Sequence, residues 1–152
     1  MNDISEGNVS VSELLCFSLY STHHSMNRLY KSLLKDIGLT YPQLLVLMAL
    51  WEKDDQLVGE IGKTLFLNSN TLTPLIKRLE SMEYVVRKRD TNDERKVLVS
   101  LTSAGKRLQG STHCFPNTIL EASGMNLESA IDLIKKITSL RESLSKYIRE
   151  QS

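Results

Sequence analysis

The chain is short of the residues that build secreted, membrane-spanning or metal-held proteins: it has two cysteines, three prolines and one tryptophan in 152 residues. Cys16 and Cys114 stand 98 positions apart. Neither a disulfide framework nor a zinc knuckle fits so few and so distant ligands, although the two could still form a switchable pair. The three histidines, His23, His24 and His113, supply no metal set, because His23 and His24 are adjacent and leave a helix in different directions. No run approaches the roughly 20 apolar residues of a membrane span. The opening MNDISEG carries acids and no apolar core, unlike a secretory signal or a transit peptide. The expectation is a cytoplasmic protein with no membrane partner, no metal and no cofactor.

What is present is ordinary for a soluble globular chain, 41% hydrophobic and 24% charged, and points to one domain over residues 1–152. The net charge is only +1, but it is unevenly spread. Residues 61–109 hold ten Lys/Arg against five Asp/Glu, a local +5 that leaves −4 on the rest. A basic middle between acidic arms resembles a footprint for a polyanion.

Ser10 followed by Glu13 reads as a capping box, and the apolar spacing from Leu14 to Leu34 carries a long helix to Gly38. Thr40 with Gln43 opens a second helix, YPQLLVLMALWEK, apolar almost all round and so the buried spine. After KDDQ, VGEIGKTL is a short helix. TLTPLIKRLESM is another, capped by Asn68 or Ser69, with Leu72, Leu75, Ile76, Leu79 and Met82 on one side. YVVRKR and KVLVSL read as strands around the turn DTNDER. Thr102 caps a further helix, interrupted near Pro116, and Asn126 caps a last amphipathic helix running to about Ile148. The expected fold is mainly α with a small β-hairpin wing, a winged helix-turn-helix over about 40–101. Terminal helices over about 10–38 and 102–152 form a dimerisation region, since they carry more apolar surface than the central module can cover.

Two groups of residues suggest chemistry. On the fourth helix Ser69, Asn70, Thr71, Thr73 and Lys77 face outward beside Arg78, and hydroxyls, amides and ammonium groups match base edges and phosphates. The hairpin adds Arg87, Arg89 and Arg95, with Asp93 placed to hold the Arg95 guanidinium over a minor groove. In the first helix, Tyr20 and Tyr30 lie about 40° to either side of Cys16 at roughly 100° per residue. The rise from Cys16 to Tyr30 is roughly 21 Å, too long for contact within one straight helix. The two can meet only across a partner helix, such as one from a second copy; otherwise Cys16 is a packed thiol.

The run FLNSNTLTPLIKRLE, the stretch RKRDTNDERKVLVSLTSAG with its DERxxxxSLT pattern, and the GLTYPQ turn resemble the core of MarR-family repressors. LCFSLY, with a tyrosine ten residues after Tyr20 and LTYPQ beyond it, is similar to the organic hydroperoxide sensors of that family, the OhrR subgroup. The resemblance spans about residues 12–120. It implies a homodimer on double-stranded DNA with a palindromic operator, and organic hydroperoxide as oxidant of Cys16. Tyr20 and Tyr30 would be the phenols bonded to that sulfur across the dimer, and Cys114 the resolving thiol of an intersubunit disulfide. Asn68-Ser69-Asn70 departs from the D-S-G common in the family. With the cap taken at Ser10, Cys16 lies beyond the first turn and the helix dipole adds little to it.

Two other readings stand beside this one. A MarR-type repressor could be released by a small apolar or phenolic ligand, with no thiol switch. A thiol peroxidase would want a cation next to its cysteine, whereas no Lys or Arg neighbours Cys16 in sequence; no enzyme is expected.

Overall fold

A computed structural model of the chain describes residues 10–89, 93 and 96–151. The chain divides into two compact units, residues 1–109 and 110–152.

The first unit begins with a single 3-10 turn, Val11–Glu13, followed by α1 (Leu15–Leu33), α2 (Tyr41–Glu52), β1 (Gln56–Leu57), α3 (Val58–Leu65), α4 (Ser69–Ser81), β2 (Val85–Arg89), β3 (Val97–Leu101) and the start of α5 (Ser103–Thr112). The starts of these helices follow from local bonding. The Gln43 side chain takes the Thr40 backbone N–H at 2.8 Å, and Pro42 sits where a missing N–H costs nothing. Glu60 does the same for Leu57 at 2.8 Å. Asn68 caps α4 by accepting from the Thr71 N–H at 2.9 Å. Pro74, sixth in α4, deletes only the bond that Asn70 would have accepted.

β2 and β3 form an antiparallel hairpin, registered from Val85 opposite Leu101 to Arg89 opposite Val97, and β1 pairs with the other edge of β3. The core gathers Val46, Leu47 and Leu50 of α2, Ile61 of α3, Leu72, Ile76 and Leu79 of α4, and Val85 and Val99 of the sheet, all fully buried. α2 is thus the spine that its unbroken apolar run implies, and α3 and α4 pack on it and on each other.

In the second unit α6 (Phe115–Ser123) ends on Gly124 in the left-handed region, φ +67°. Asn126 then caps α7 (Leu127–Gln151), accepting from Ser129 N–H at 2.8 Å. Leu127, Ile131, Ile134, Leu144 and Ile148 repeat at helical spacing along α7 and are exposed. No helix among the described residues is long and apolar enough to cross a membrane.

Several boundaries differ from the sequence reading. The box at Ser10 opens less than expected: Glu13 takes the Ser10 N–H at 3.1 Å, and the Ser10 hydroxyl also bonds Ser12. That segment closes as one 3-10 turn, Leu14 is extended, and α1 starts at Leu15. α1 stops at Leu33, after which a turn closes on Gly38, whose φ of +72° suits glycine. The two-residue β1 hides in the polar KDDQL, too short to show any period. The break between the later helices falls at His113–Cys114; Pro116 does not interrupt a helix but stands in the first turn of α6, which has no separate signature in the sequence. α7 continues to Gln151.

Candidate nucleic-acid interface and redox site

α3 and α4 meet at a tight corner. A Cβ on Gly62 would lie 2.8 Å from the Leu67 carbonyl oxygen, and the Leu67 N–H donates to Gly62 at 2.9 Å. Phe66 takes the left-handed conformation, φ 55°, to make the corner. This orientation leaves Ser69, Asn70, Thr71, Lys77 and Arg78 exposed and Thr73 half-buried. Some of their bonding capacity is already used. The Thr71 hydroxyl donates to Asn68 Oδ1 at 3.0 Å, and that of Thr73 to the Ser69 carbonyl at 2.7 Å.

The hairpin cations fall into distinct settings. Arg87 is half-buried and tied to α4: its Nε and Nη2 lie 2.8 and 2.6 Å from Glu80 Oε2, and its backbone N–H donates to Glu80 Oε1 at 3.3 Å. Arg87 bonding holds the Glu80 carboxyl below the ordinary carboxylate range. Lys88 and Arg89 are exposed. Asp93 pairs with Lys96 at 3.6 Å. Arg95, expected to enter a minor groove with Asp93 beside it, lies outside the described residues. Between α3, α4 and the hairpin opens a cavity of about 470 Å³ whose lining includes Lys63, Thr73, Arg87 and Lys96.

The motif SLTSAG fastens the hairpin to the helices on either side of it. The Ser100 hydroxyl bonds Asp55, the Leu101 N–H donates to Asp54 at 2.8 Å, and Thr102 caps α5 while donating to the Glu83 carbonyl at 2.6 Å. Lys106 pairs with Asp54 at 3.0 Å. Backbone and Lys106 hydrogen bonds hold the Asp54 carboxyl below its usual range, outweighing the opposing effect of desolvation.

The thiol region differs from expectation in one respect. Because α1 starts at Leu15, Cys16 is its second residue, where backbone N–H groups have no intrahelical acceptor and a negative charge meets the positive end of the helix. The small dipole effect expected for a cap at Ser10 is thereby corrected. Cys16 is exposed. Among the described residues no hydrogen bond joins either phenol to it: Tyr20 is exposed and packs edge-on against His24, ring centroids 4.5 Å apart. Tyr30 stacks on Tyr41 at 4.0 Å and 25°.

Tyr41 is the residue that sequence reasoning missed. It lies in the quoted GLTYPQ turn, eleven places after Tyr30, and its position as first residue of α2 was the available signal. Burial is the main cause that raises both phenols above the ordinary 10.0, and the neighbouring Tyr41 adds to it for Tyr30. Each phenol carries one O–H donor.

Cys114, expected within a helix, is the exposed N-cap residue of α6, its carbonyl accepting from Thr118 N–H at 3.1 Å.

Residues 28–110 match the family described as transcriptional regulator SarA/Rot. The chain is 46% identical over 135 residues to the HTH-type transcriptional regulator TtmR of Methylorubrum extorquens, covering 89% of this chain and 69% of that one. It is 42% identical over 130 residues to the organic hydroperoxide resistance transcriptional regulator of Bacillus subtilis, covering 86% and 88%. Among solved structures it resembles reduced AbfR of Staphylococcus epidermidis bound to DNA, with TM-score 0.75 and 34% identity over 91% of this chain and 94% of that one. The disulfide-formed state of AbfR superposes with TM-score 0.60 at 36% identity, covering 86% and 91%.

Proposed function

This chain belongs to the SarA/Rot and MarR-type winged-helix transcriptional regulators, and from that premise we propose that it is a redox-sensing repressor releasing DNA when Cys16 is oxidised by an organic hydroperoxide. It works as a homodimer, joined through the exposed apolar residues of α7 and of α1, where Leu15, Phe17 and Leu19 are exposed. Two α4 helices enter successive major grooves, roughly 34 Å apart, and the operator is correspondingly palindromic. Ser69, Asn70, Thr71, Thr73, Lys77 and Arg78 face the DNA, with Arg89 and Arg95 on the wing and Arg87 and Asp93 ordering it.

One observation carries the redox reading: Tyr30 and Tyr41 form a stacked, half-buried phenol pair, while Cys16 stands exposed at a helix start. In the dimer the pair of one subunit, with Tyr20, donates to the thiolate of the other. The thiolate attacks the hydroperoxide, the O–O bond breaks, sulfur becomes sulfenic acid, and the alkoxide leaves as alcohol after taking a proton. The phenols lose an anionic acceptor worth about 1.5–3 kcal/mol per hydrogen bond. The helix contact that sets the α4 separation shifts, and both half-sites release together. The Cys114 thiol of the other subunit then attacks the sulfenic sulfur, forming a disulfide and expelling water. The disulfide-formed state known for AbfR supports this last step by analogy.

The test is binding of the reduced protein to duplexes it selects from a randomised library, with and without cumene hydroperoxide, followed by intact mass. Release together with oxidation of Cys16 is expected; release without a mass change defeats the thiol switch. The cavity beside Arg87, lined also by Leu57, Val58, Ile76 and Val97, supports the second reading, release by a small apolar or phenolic ligand, which predicts that latter result.

A further inference from the structure

α4 carries one carboxamide, Asn70, and the bonding around it leaves that group, beside the exposed Ser69 hydroxyl, free to read a base. Asn68 does not compete, because its side-chain oxygen accepts from both the Thr71 N–H and the Thr71 hydroxyl. The hydroxyl protons of Thr71 and Thr73 are committed, to Asn68 and to the Ser69 carbonyl. Asn70 is exposed, and among the described residues its amide makes no hydrogen bond.

Direction agrees with availability. At roughly 100° per residue, Asn70 lies about 150° from the mean direction of the buried Leu72, Ile76 and Leu79, so it projects almost straight away from the core. Lys77 lies within about 20° of the same line and roughly 10 Å further along, suited as a point charge to the backbone phosphates beyond.

We infer that Asn70 reads an adenine in each operator half-site through paired hydrogen bonds to N6 and N7, and that it fixes an A·T pair there. The inference rests on the reading of α4 as the helix that enters the major groove. Its chemical content is the match of one donor and one acceptor in fixed relation. Adenine offers N7 to the amide NH2 and an N6 proton to the amide oxygen, whereas guanine shows two acceptors and each pyrimidine one hydrogen-bonding group. Where the family commonly carries glycine, this chain carries the side chain, so the preference belongs to it and to relatives that share an amide there.

The experiment is selection of duplexes from a randomised library by the reduced full-length protein and by Asn70→Ala and Asn70→Asp, each checked for an unchanged thermal transition. Wild type should enrich a palindrome with adenine at one position per half-site, and replacing that adenine by guanine should weaken binding about 5- to 150-fold per half-site. Asn70→Ala should still enrich the other positions while tolerating any base at this one. Asn70→Asp, which can only accept, should move the preference towards cytosine with its N4 donor. An Asn70→Ala motif identical to wild type overturns the inference and leaves α4 as the reader. A wild type that enriches no motif overturns the reading of α4 and the inference with it.

Discussion

Arg87 reaches from the first strand of the hairpin to Glu80 on α4, placing Nη2 2.6 Å and Nε 2.8 Å from one carboxylate oxygen. The bond ties the wing to the helix beside it, so the angle between the two DNA-facing elements depends on this pair. About a third of each side chain is exposed, which limits its worth to stability. Glu80→Gln should cost only about 0.5–1 kcal/mol. The pH dependence has a definite sign. The Glu80 carboxyl titrates below its ordinary 4.5 in the folded chain, so its contribution is complete above that value and is lost as pH falls through the lower folded pKa. Melting curves of wild type and Glu80→Gln should differ at pH 7 and converge in acid. A gap that persists or widens at low pH would mean that the charge on Glu80 is not what Arg87 holds.

Gly105 is a tighter constraint. A Cβ there runs into the Tyr84 carbonyl, while its N–H donates to Thr102 at 3.0 Å and its carbonyl accepts from the Trp51 indole at 3.0 Å. α2, the hairpin and α5 converge on one backbone unit. Gly105→Ala should cost roughly 1–3 kcal/mol as an overpacking substitution, lowering Tm by roughly 2 to 12 °C. A thermal scan showing no loss would require α5 to shift freely, against the bonds that Thr102 and Trp51 make.

These contacts also show why some features were legible in the sequence and others were not. α2, α3, α4 and the hairpin follow from short-range rules: apolar periodicity, the Asn68 cap and β-branched runs announce them directly. The box at Ser10 was misleading because it closes a single 3-10 turn before Leu14 becomes extended, a break that no local residue announces. β1 exists only because β3 offers it an edge, and Gln56 alone carries no strand signal. Tyr41 could be quoted within a motif without its role being visible, since its partner Tyr30 lies on another helix. Arg87 read as a DNA cation because sequence shows its charge and not the Glu80 that engages it seven residues away.

The Tyr30–Tyr41 pair can be observed on its own. Burial raises both phenols above 10.0, so both stay protonated donors at neutral pH, and stability that is intact below pH 10 should fall as pH rises through their folded values. A spectrophotometric titration of the five tyrosines should resolve two late-ionising groups, lost one at a time in Tyr30→Phe and Tyr41→Phe. If the pair serves the thiolate, Tyr41→Phe should slow oxidation of Cys16 by cumene hydroperoxide about 10- to 150-fold, the kinetic equivalent of one hydrogen bond to a charged group. Reduced-state DNA binding should survive. A variant oxidised as fast as wild type would leave the pair a packing feature at the α1–α2 contact.

The last step, resolution by Cys114, is separable from sensing by Cys16. Both thiols are exposed, so neither is barred by burial from reacting, but a bridge needs the two Cα atoms to come within about 4.4–6.8 Å. Peroxide-treated wild type should run on a non-reducing gel as a covalent dimer that thiol reductants return to monomer. Cys114→Ser should give monomer alone, with Cys16 trapped as sulfenic acid or as an adduct of an added small thiol. Cys16→Ser should give monomer and keep its DNA through peroxide treatment. A covalent dimer in Cys114→Ser would instead join the two Cys16 sulfurs, bringing the two helix starts together. In that arrangement the phenols could no longer lie between sulfur and sulfur, and the switch would have to work by tethering α1 to its mate and not by loss of a hydrogen-bond acceptor.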